Sequence, residues 1–324
     1  MTGLRYDPEY FKAMEPFLGG PRPEPPKTVL ELRQLTETII TMVVGNSPYP
    51  SDVKEKVFTV KSYDGAEIKV TRFASETALA STTPTPAVIY VHGGGFVATS
   101  VKMFAPQIAR YAHNTNFPYF AVHYRLAPEH PAPAGLEDAF AVLKHILESA
   151  QEFNIDPTKI AVHGDSAGGG VAAGVALMAR DRKLDPPLAK QILIYPMLDD
   201  RTKVEDSDPR VELMGWKPNS NILAWNAYAG ESRGSESGSD VLSYAAPARA
   251  TSLRGLPATY IEVGTLDLFR DEDIEYAARL TKEDVEVEFH LWPGLPHGFD
   301  GMMTISWYQR SQESRLSAIK RISV

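Results

Sequence analysis

From residue 87 onward the chain alternates short apolar runs with segments of helical period. The runs 87–91, 119–122, 160–162, 191–195 and 259–263 are apolar almost throughout, and 285–291 alternates valine with glutamate before ending on Phe289, His290 and Leu291. Continuous apolar strands are those buried on both faces. Between them apolar residues recur at helical spacing, most clearly at Leu136, Phe140, Leu143, Ile146 and Leu147, at Ile274, Ala277 and Ala278, and over 305–322. Strand, helix, strand in this order predicts a mostly parallel sheet with helices on both faces.

Upstream the period changes. Two alternating runs, 57–60 and 68–73, flank Tyr63-Asp64-Gly65 and read as a hairpin forming an antiparallel edge. Before them, Thr28 with Glu31 three residues on is a capping box opening a helix to about Val44, with Leu32, Leu35, Ile39 and Val43 on one face. Gly45-Asn46-Ser47-Pro48 ends it. Residues 21–26, rich in proline, are an extended spacer, residues 75–86 a polar loop, and the first twenty residues a docking arm with Tyr10, Phe11, Met14 and Phe17. Between Tyr195 and Thr259 the alternation breaks: Trp216, Trp225, a helix near 222–228 and a Gly/Ser/Glu-rich run over 230–238 read as an insertion over the sheet. The expected division is an arm with cap helices over 1–50, core over 51–199, a cap insertion over 200–243, and core again over 244–324.

Composition narrows the function without naming it. At 324 residues, 43% hydrophobic and 23% charged, the chain can build a large core. A net charge of −8 argues against nucleic-acid or anionic-membrane partners. The absence of cysteine removes disulfides, thiolate metal sites and a cysteine nucleophile. No apolar leader and no run long enough to span a bilayer are evident, so the expectation is a soluble cytoplasmic protein, with its oligomeric state open.

The chemistry centres on Gly164-Asp165-Ser166-Ala167-Gly168, which follows one apolar strand and opens a small-residue helix. A sharp strand-to-helix turn exposes the serine hydroxyl and aims the helix's free N–H groups at the reacting centre. The same letters satisfy a dinucleotide fingerprint over Gly168-Gly169-Gly170-Val171-Ala172-Ala173, with Asp199 after the next strand. That reading puts the glycines inside the helix and leaves Ser166 unexplained. A second strand runs into His92-Gly93-Gly94-Gly95-Phe96, whose exposed backbone N–H groups suit an oxyanion hole completed by Ala167. The base must follow the serine and an acid in this arrangement. His297 lies in the loop beyond the 285–291 strand, whereas His290 lies within it. Asp267, in the loop after 259–263, fits the acid; Asp271, the alternative, reads with Glu272 and Asp273 as the first turn of a helix.

With His92-Gly93-Gly94-Gly95-Phe96, Tyr124-Arg125-Leu126-Ala127-Pro128-Glu129-His130-Pro131, Gly164-Asp165-Ser166-Ala167-Gly168-Gly169, Tyr195-Pro196, Asp267-Leu268-Phe269-Arg270-Asp271-Glu272 and His297-Gly298-Phe299 in order, the chain resembles the hormone-sensitive-lipase-like family of alpha/beta-hydrolase carboxylesterases. The resemblance implies an α/β fold with a mostly parallel eight-stranded sheet, helices on both faces and a helical cap. It implies a triad of Ser166, Asp267 and His297, and oxyanion donors Gly93, Gly94 and Ala167. One departure is Leu268, where the family usually has proline. The expected activity is hydrolysis of small-molecule carboxylic esters, short to medium in the acyl chain, without cofactor or metal. Phe96, Trp216 and Trp225 are the expected substrate-pocket residues, and the arm and insertion are expected to close over the cleft. The rivals are an amide hydrolase using the same triad and a non-catalytic small-molecule receptor on the same fold, a class that resembles this family with the histidine lost.

Overall fold

The computed structural model describes residues 3–18, 24–44, 47–205, 207–230, 233–234 and 240–323. Pro21 to Pro23 of the spacer, Gly45 and Asn46 of the helix stop, and most of the 230–238 run lie outside the described residues.

In chain order, α1 (Pro8–Leu18) and α2 (Val29–Val44) precede the hairpin β1 (Val53–Lys61) and β2 (Glu67–Ser75), followed by the single turn α3 (Glu76–Leu79). The alternating part runs β3 (Thr85–Val91), α4 (Val101–Thr115), β4 (Tyr119–Val122), α5 (Ala134–Glu148), β5 (Ile155–Asp165), α6 (Ala167–Asp181) and β6 (Lys190–Ile194). After it come α7 (Pro218–Ala229), α8 (Asp240–Ala245), β7 (Ala258–Gly264), α9 (Arg270–Lys282), β8 (Val287–Trp292) and α10 (Ser306–Lys320). The strands form one eight-stranded sheet in the order β1-β2-β4-β3-β5-β6-β7-β8. β1 and β2 pair antiparallel, as do β2 and β4; every later pairing is parallel.

Period 2 survives inside the continuous apolar runs and divides the core. Along β3, Ala87, Ile89 and Val91 face a cluster with Leu136, Leu143 and Val171 of α5 and α6, whereas Val88 and Tyr90 face Phe104, Ile108 and Tyr111 of α4. Both faces are therefore dry, and each fully buried large apolar side chain contributes about 1.5–3 kcal/mol.

Two local expectations shift. The capping box forms, with the Glu31 N–H donating to Thr28 Oγ1 at 3.2 Å, but the Glu31 carboxylate takes the N–H of Lys27, at 2.7 Å. The buried stripe of α2 runs through Leu32 and Val44 with Ile40 half-buried, which turns Ile39 outward at 47% exposure. Within the polar loop after β2, Ser75 caps α3 by accepting from the Ala78 N–H at 3.1 Å, so the segment has a helical turn where a loop is expected. Among the described residues no helix is long and apolar enough to cross a membrane.

Candidate active site

Ser166 stands between β5 and α6 with φ 56° and ψ −121°. A non-glycine residue there costs about 1–3 kcal/mol and persists only where its surroundings over-determine it. They do: Ser166 N–H donates to Ile194 O at 2.8 Å, and Ser166 O accepts from Met197 N–H at 3.0 Å and Gly170 N–H at 3.1 Å. The elbow also needs bare backbone at two points, since a Cβ on Gly164 would lie 2.1 Å from Gly168 O, and one on Gly168 2.1 Å from Val91 O. Gly168, Gly169 and Gly170 thus let α6 pack closely against the ends of β3 and β6, at Val91, His92, Pro196 and Met197, which disposes of the dinucleotide reading.

Because β3, β5, β7 and β8 run parallel, the loops leaving their carboxyl ends gather at one sheet edge. His297 Nε2 lies 2.9 Å from Ser166 Oγ, and His297 Nδ1 lies 2.7 Å from Asp267 Oδ2. Asp267 is fully buried, and its other oxygen accepts the Phe269 N–H at 3.0 Å. Tyr195 and Phe269 flank the imidazole edge-on, with ring centroids 4.5 and 5.1 Å away. His290 lies in β8, 2.9 Å from Glu288 Oε1 and stacked on Trp292. Asp271 is occupied by Arg270 and Arg210.

The glycine loop after β3 lies directly against the elbow: a Cβ on Gly93 would come within 3.4 Å of Ser166 Cβ. No acceptor among the described residues takes the N–H of Gly93, Gly94 or Ala167. Backbone conformation in this region is unusual, with positive φ at the three consecutive residues Gly94, Gly95 and Phe96 and again at Thr99. Thr99 Oγ1 donates to Gly93 O at 2.5 Å, Ala98 N–H to Gly94 O at 3.0 Å, and Tyr124 hydroxyl to His92 O at 3.0 Å. From α2, Arg33 reaches Val97 O and Ala127 O and pairs with Glu129. His92 is sealed beneath the loop, and burial pushes its ring down to about 4, which keeps it neutral.

The insertion reaches this site through two residues. A Cβ on Gly95 would meet the Trp216 ring at 2.7 Å, and one on Gly215 would meet His297 O at 2.3 Å. Trp216 is half-buried. Phe96 and Trp225, the other two expected pocket residues, are buried in a stack with Tyr228, whose ring lies 4.0 Å from that of Phe96. The arm docks beside the histidine loop. Asp7 N–H donates to Gly294 O at 2.9 Å, Glu9 accepts from the Ser306 N–H at 2.8 Å, and Tyr10 is buried with Trp292, Leu295 and Phe299. Phe11 and Phe17 are exposed at 47% and 65%, so of the three aromatic residues expected to dock only Tyr10 is buried, with Tyr6 and Met14 partly buried beside it. Sequence reasoning also missed the flanking role of Phe269 and the buried partners of Tyr195 described below. Tyr195-Pro196 is a visible motif, but nothing in its letters points to His297.

Comparison with known proteins agrees with this geometry. A family model described as the alpha/beta hydrolase fold matches residues 88–301. Esterase LipI of Mycobacterium tuberculosis is 37% identical over 216 residues, 67% of this chain and 66% of the relative, so the match spans just under two thirds of that protein. The ethyl acetate hydrolase of Pseudomonas putida is 28% identical over 85% of this chain and 84% of its own. Among solved structures, a bacterial heroin esterase superposes with a TM-score of 0.86 at 35% identity, covering 98% of each chain. Fold, motif order and these similarities together show that the chain belongs to the hormone-sensitive-lipase-like family of alpha/beta hydrolases.

Proposed function

We propose that the protein is a serine carboxylesterase acting on short to medium acyl esters of small molecules through an acyl-enzyme. The observation that carries the reading is the continuous relay Ser166 Oγ, His297, Asp267 at 2.9 and 2.7 Å, set beside three unoccupied N–H groups. Ser166 attacks the ester carbonyl while His297 Nε2 takes the hydroxyl proton. Asp267 accepts from Nδ1–H and holds that tautomer. Gly93, Gly94 and Ala167 receive the oxyanion, a contribution of about 10²–10³ in rate for each donor. The intermediate collapses as His297 returns the proton to the departing alcohol, and water repeats the cycle on the acyl-enzyme. These residues supply every proton transfer required, so the proposal includes no metal or cofactor.

The insertion over 200–243 serves as the cap in this reading. Trp216 forms the wall against the oxyanion loop, and Phe96 and Trp225 back it. The filled histidine position favours catalysis over a receptor. The test is p-nitrophenyl acetate in large excess over enzyme, with enough enzyme for one equivalent of product to be detected: a burst of p-nitrophenol stoichiometric with protein is expected, and none from Ser166→Ala. An equal burst from the variant would refute the assignment.

A further inference from the structure

A fully buried arginine lies behind the histidine loop, and the proposed chemistry does not use it. Arg315, on α10, has no exposed side-chain surface. Its Nε donates to Glu262 Oε1 at 3.0 Å, and Nη2 bonds the same oxygen. Nη1 donates to Asp300 Oδ2 at 2.7 Å and to the Tyr111 hydroxyl oxygen at 3.2 Å. Glu262 belongs to β7, the strand that delivers Asp267, and its second oxygen accepts the Tyr260 hydroxyl at 2.5 Å. Asp300 lies three residues beyond His297, and its second oxygen accepts the Tyr195 hydroxyl at 2.8 Å. Tyr195 leaves β6 with φ 35°, donates its N–H to Glu262 O at 2.7 Å, and sets its ring 4.5 Å from that of His297.

One cation thus joins two acids, and through them the acid's strand, the base's loop and the ring beside the base. An apolar side chain at position 315 would let α10 pack without burying a charge. The ion pairs instead impose fixed angles, because the planar guanidinium fork directs Nε and Nη2 to Glu262 and Nη1 to Asp300 and Tyr111. The histidine loop needs such a tie: Gly294 and Gly298 on either side of His297 both have positive φ, leaving little backbone to hold the ring's angle.

We propose that Arg315, Asp300 and Tyr195 are positioning residues for His297, a cross-tie that holds the imidazole in line between Ser166 Oγ and Asp267. The proposal rests on His297 being the general base. Its test uses the full chain and p-nitrophenyl acetate, with kcat normalised to burst amplitude so that only competent enzyme is counted. Tyr195→Phe removes one oxygen and keeps the ring; Asp300→Asn keeps the side chain's shape and removes its charge. Each is expected to lower kcat about tenfold, with KM within about twofold of wild type, since misalignment affects the transition state more than ground-state binding. The double variant is expected to fall no further than the weaker single variant, because both cut one chain. Single variants within about twofold of wild-type kcat, or losses that multiply in the double variant, would overturn the cross-tie. A wild-type hydrolysis of p-nitrophenyl acetate that survives unchanged in His297→Ala would overturn the reading of the base, and the cross-tie with it.

Discussion

Gly215 of the insertion and His297 of the base loop meet backbone to backbone, so closely that a Cβ on Gly215 would stand 2.3 Å from the His297 carbonyl oxygen. A side chain at position 215 would press directly on the base loop. Gly215→Ala is therefore expected to displace the imidazole and lower kcat by about 10²-fold, the usual consequence of misplacing a catalytic group by roughly 1 Å. Steady-state kinetics on p-nitrophenyl acetate check it, and an unaltered kcat would show that the loop absorbs the added methyl elsewhere.

Trp216 lies on Gly95, and its removal enlarges the space beside the oxyanion loop. Trp216→Ala is expected to raise kcat/KM for p-nitrophenyl decanoate relative to acetate by about tenfold, in line with the gain of a few buried methylenes. A profile unchanged from acetate to decanoate would remove Trp216 from the acyl wall.

Asp267 and Asp271 can be told apart by the same substitution. Asp267→Asn is expected to lose on the order of 10⁴ in kcat by favouring the wrong imidazole tautomer. Asp271 pairs with Arg210 and Arg270 at 63% side-chain exposure, and Asp271→Asn is expected to stay within about threefold of wild type, as surface ion pairs contribute little. The opposite ranking would relocate the acid.

Deleting residues 1–18 removes Tyr10 from the core, the bond from Asp7 to Gly294 in the loop carrying His297, and the bond of Glu9 to Ser306 at the start of α10. The expected result is a lower melting temperature and a similar fall in kcat at every acyl length. A change confined to long-chain esters would instead place the arm in the acyl pocket.

Asp273 is fully buried, and neither carboxylate oxygen has a hydrogen-bond partner among the described residues. Burial holds its carboxyl well above the ordinary range, and the nearby Glu272 and Asp267 add to the effect. The folded protein keeps this proton where the unfolded chain, with a pKa of about 3.9, has lost it. Stability is consequently lost as pH rises above about 4 toward the folded value. Asp273→Asn cannot ionise and is expected to melt on the order of a few degrees higher than wild type at pH 8, with the gap closing near pH 4. Thermal melts at both pH values decide it, and a variant less stable at pH 8 would show that the carboxylate is ionised and paired.

All eight strands and the loops that carry Ser166, the glycine run, Asp267 and His297 were legible in the sequence, because each is written in contiguous residues. Period 2 and period 3.6 mark elements locally, and a parallel sheet then brings its carboxyl-end loops together whatever the details of packing. Contacts between side chains far apart in the chain carry no such mark. Trp216 and Trp225 look equivalent as letters, yet one touches Gly95 and the other is sealed behind Phe96. Arg315 reads as an ordinary charged residue of a helix. Only the packing of α10 against the rest of the fold buries it between Glu262 and Asp300, and that packing is set by whole elements rather than by any local run of residues.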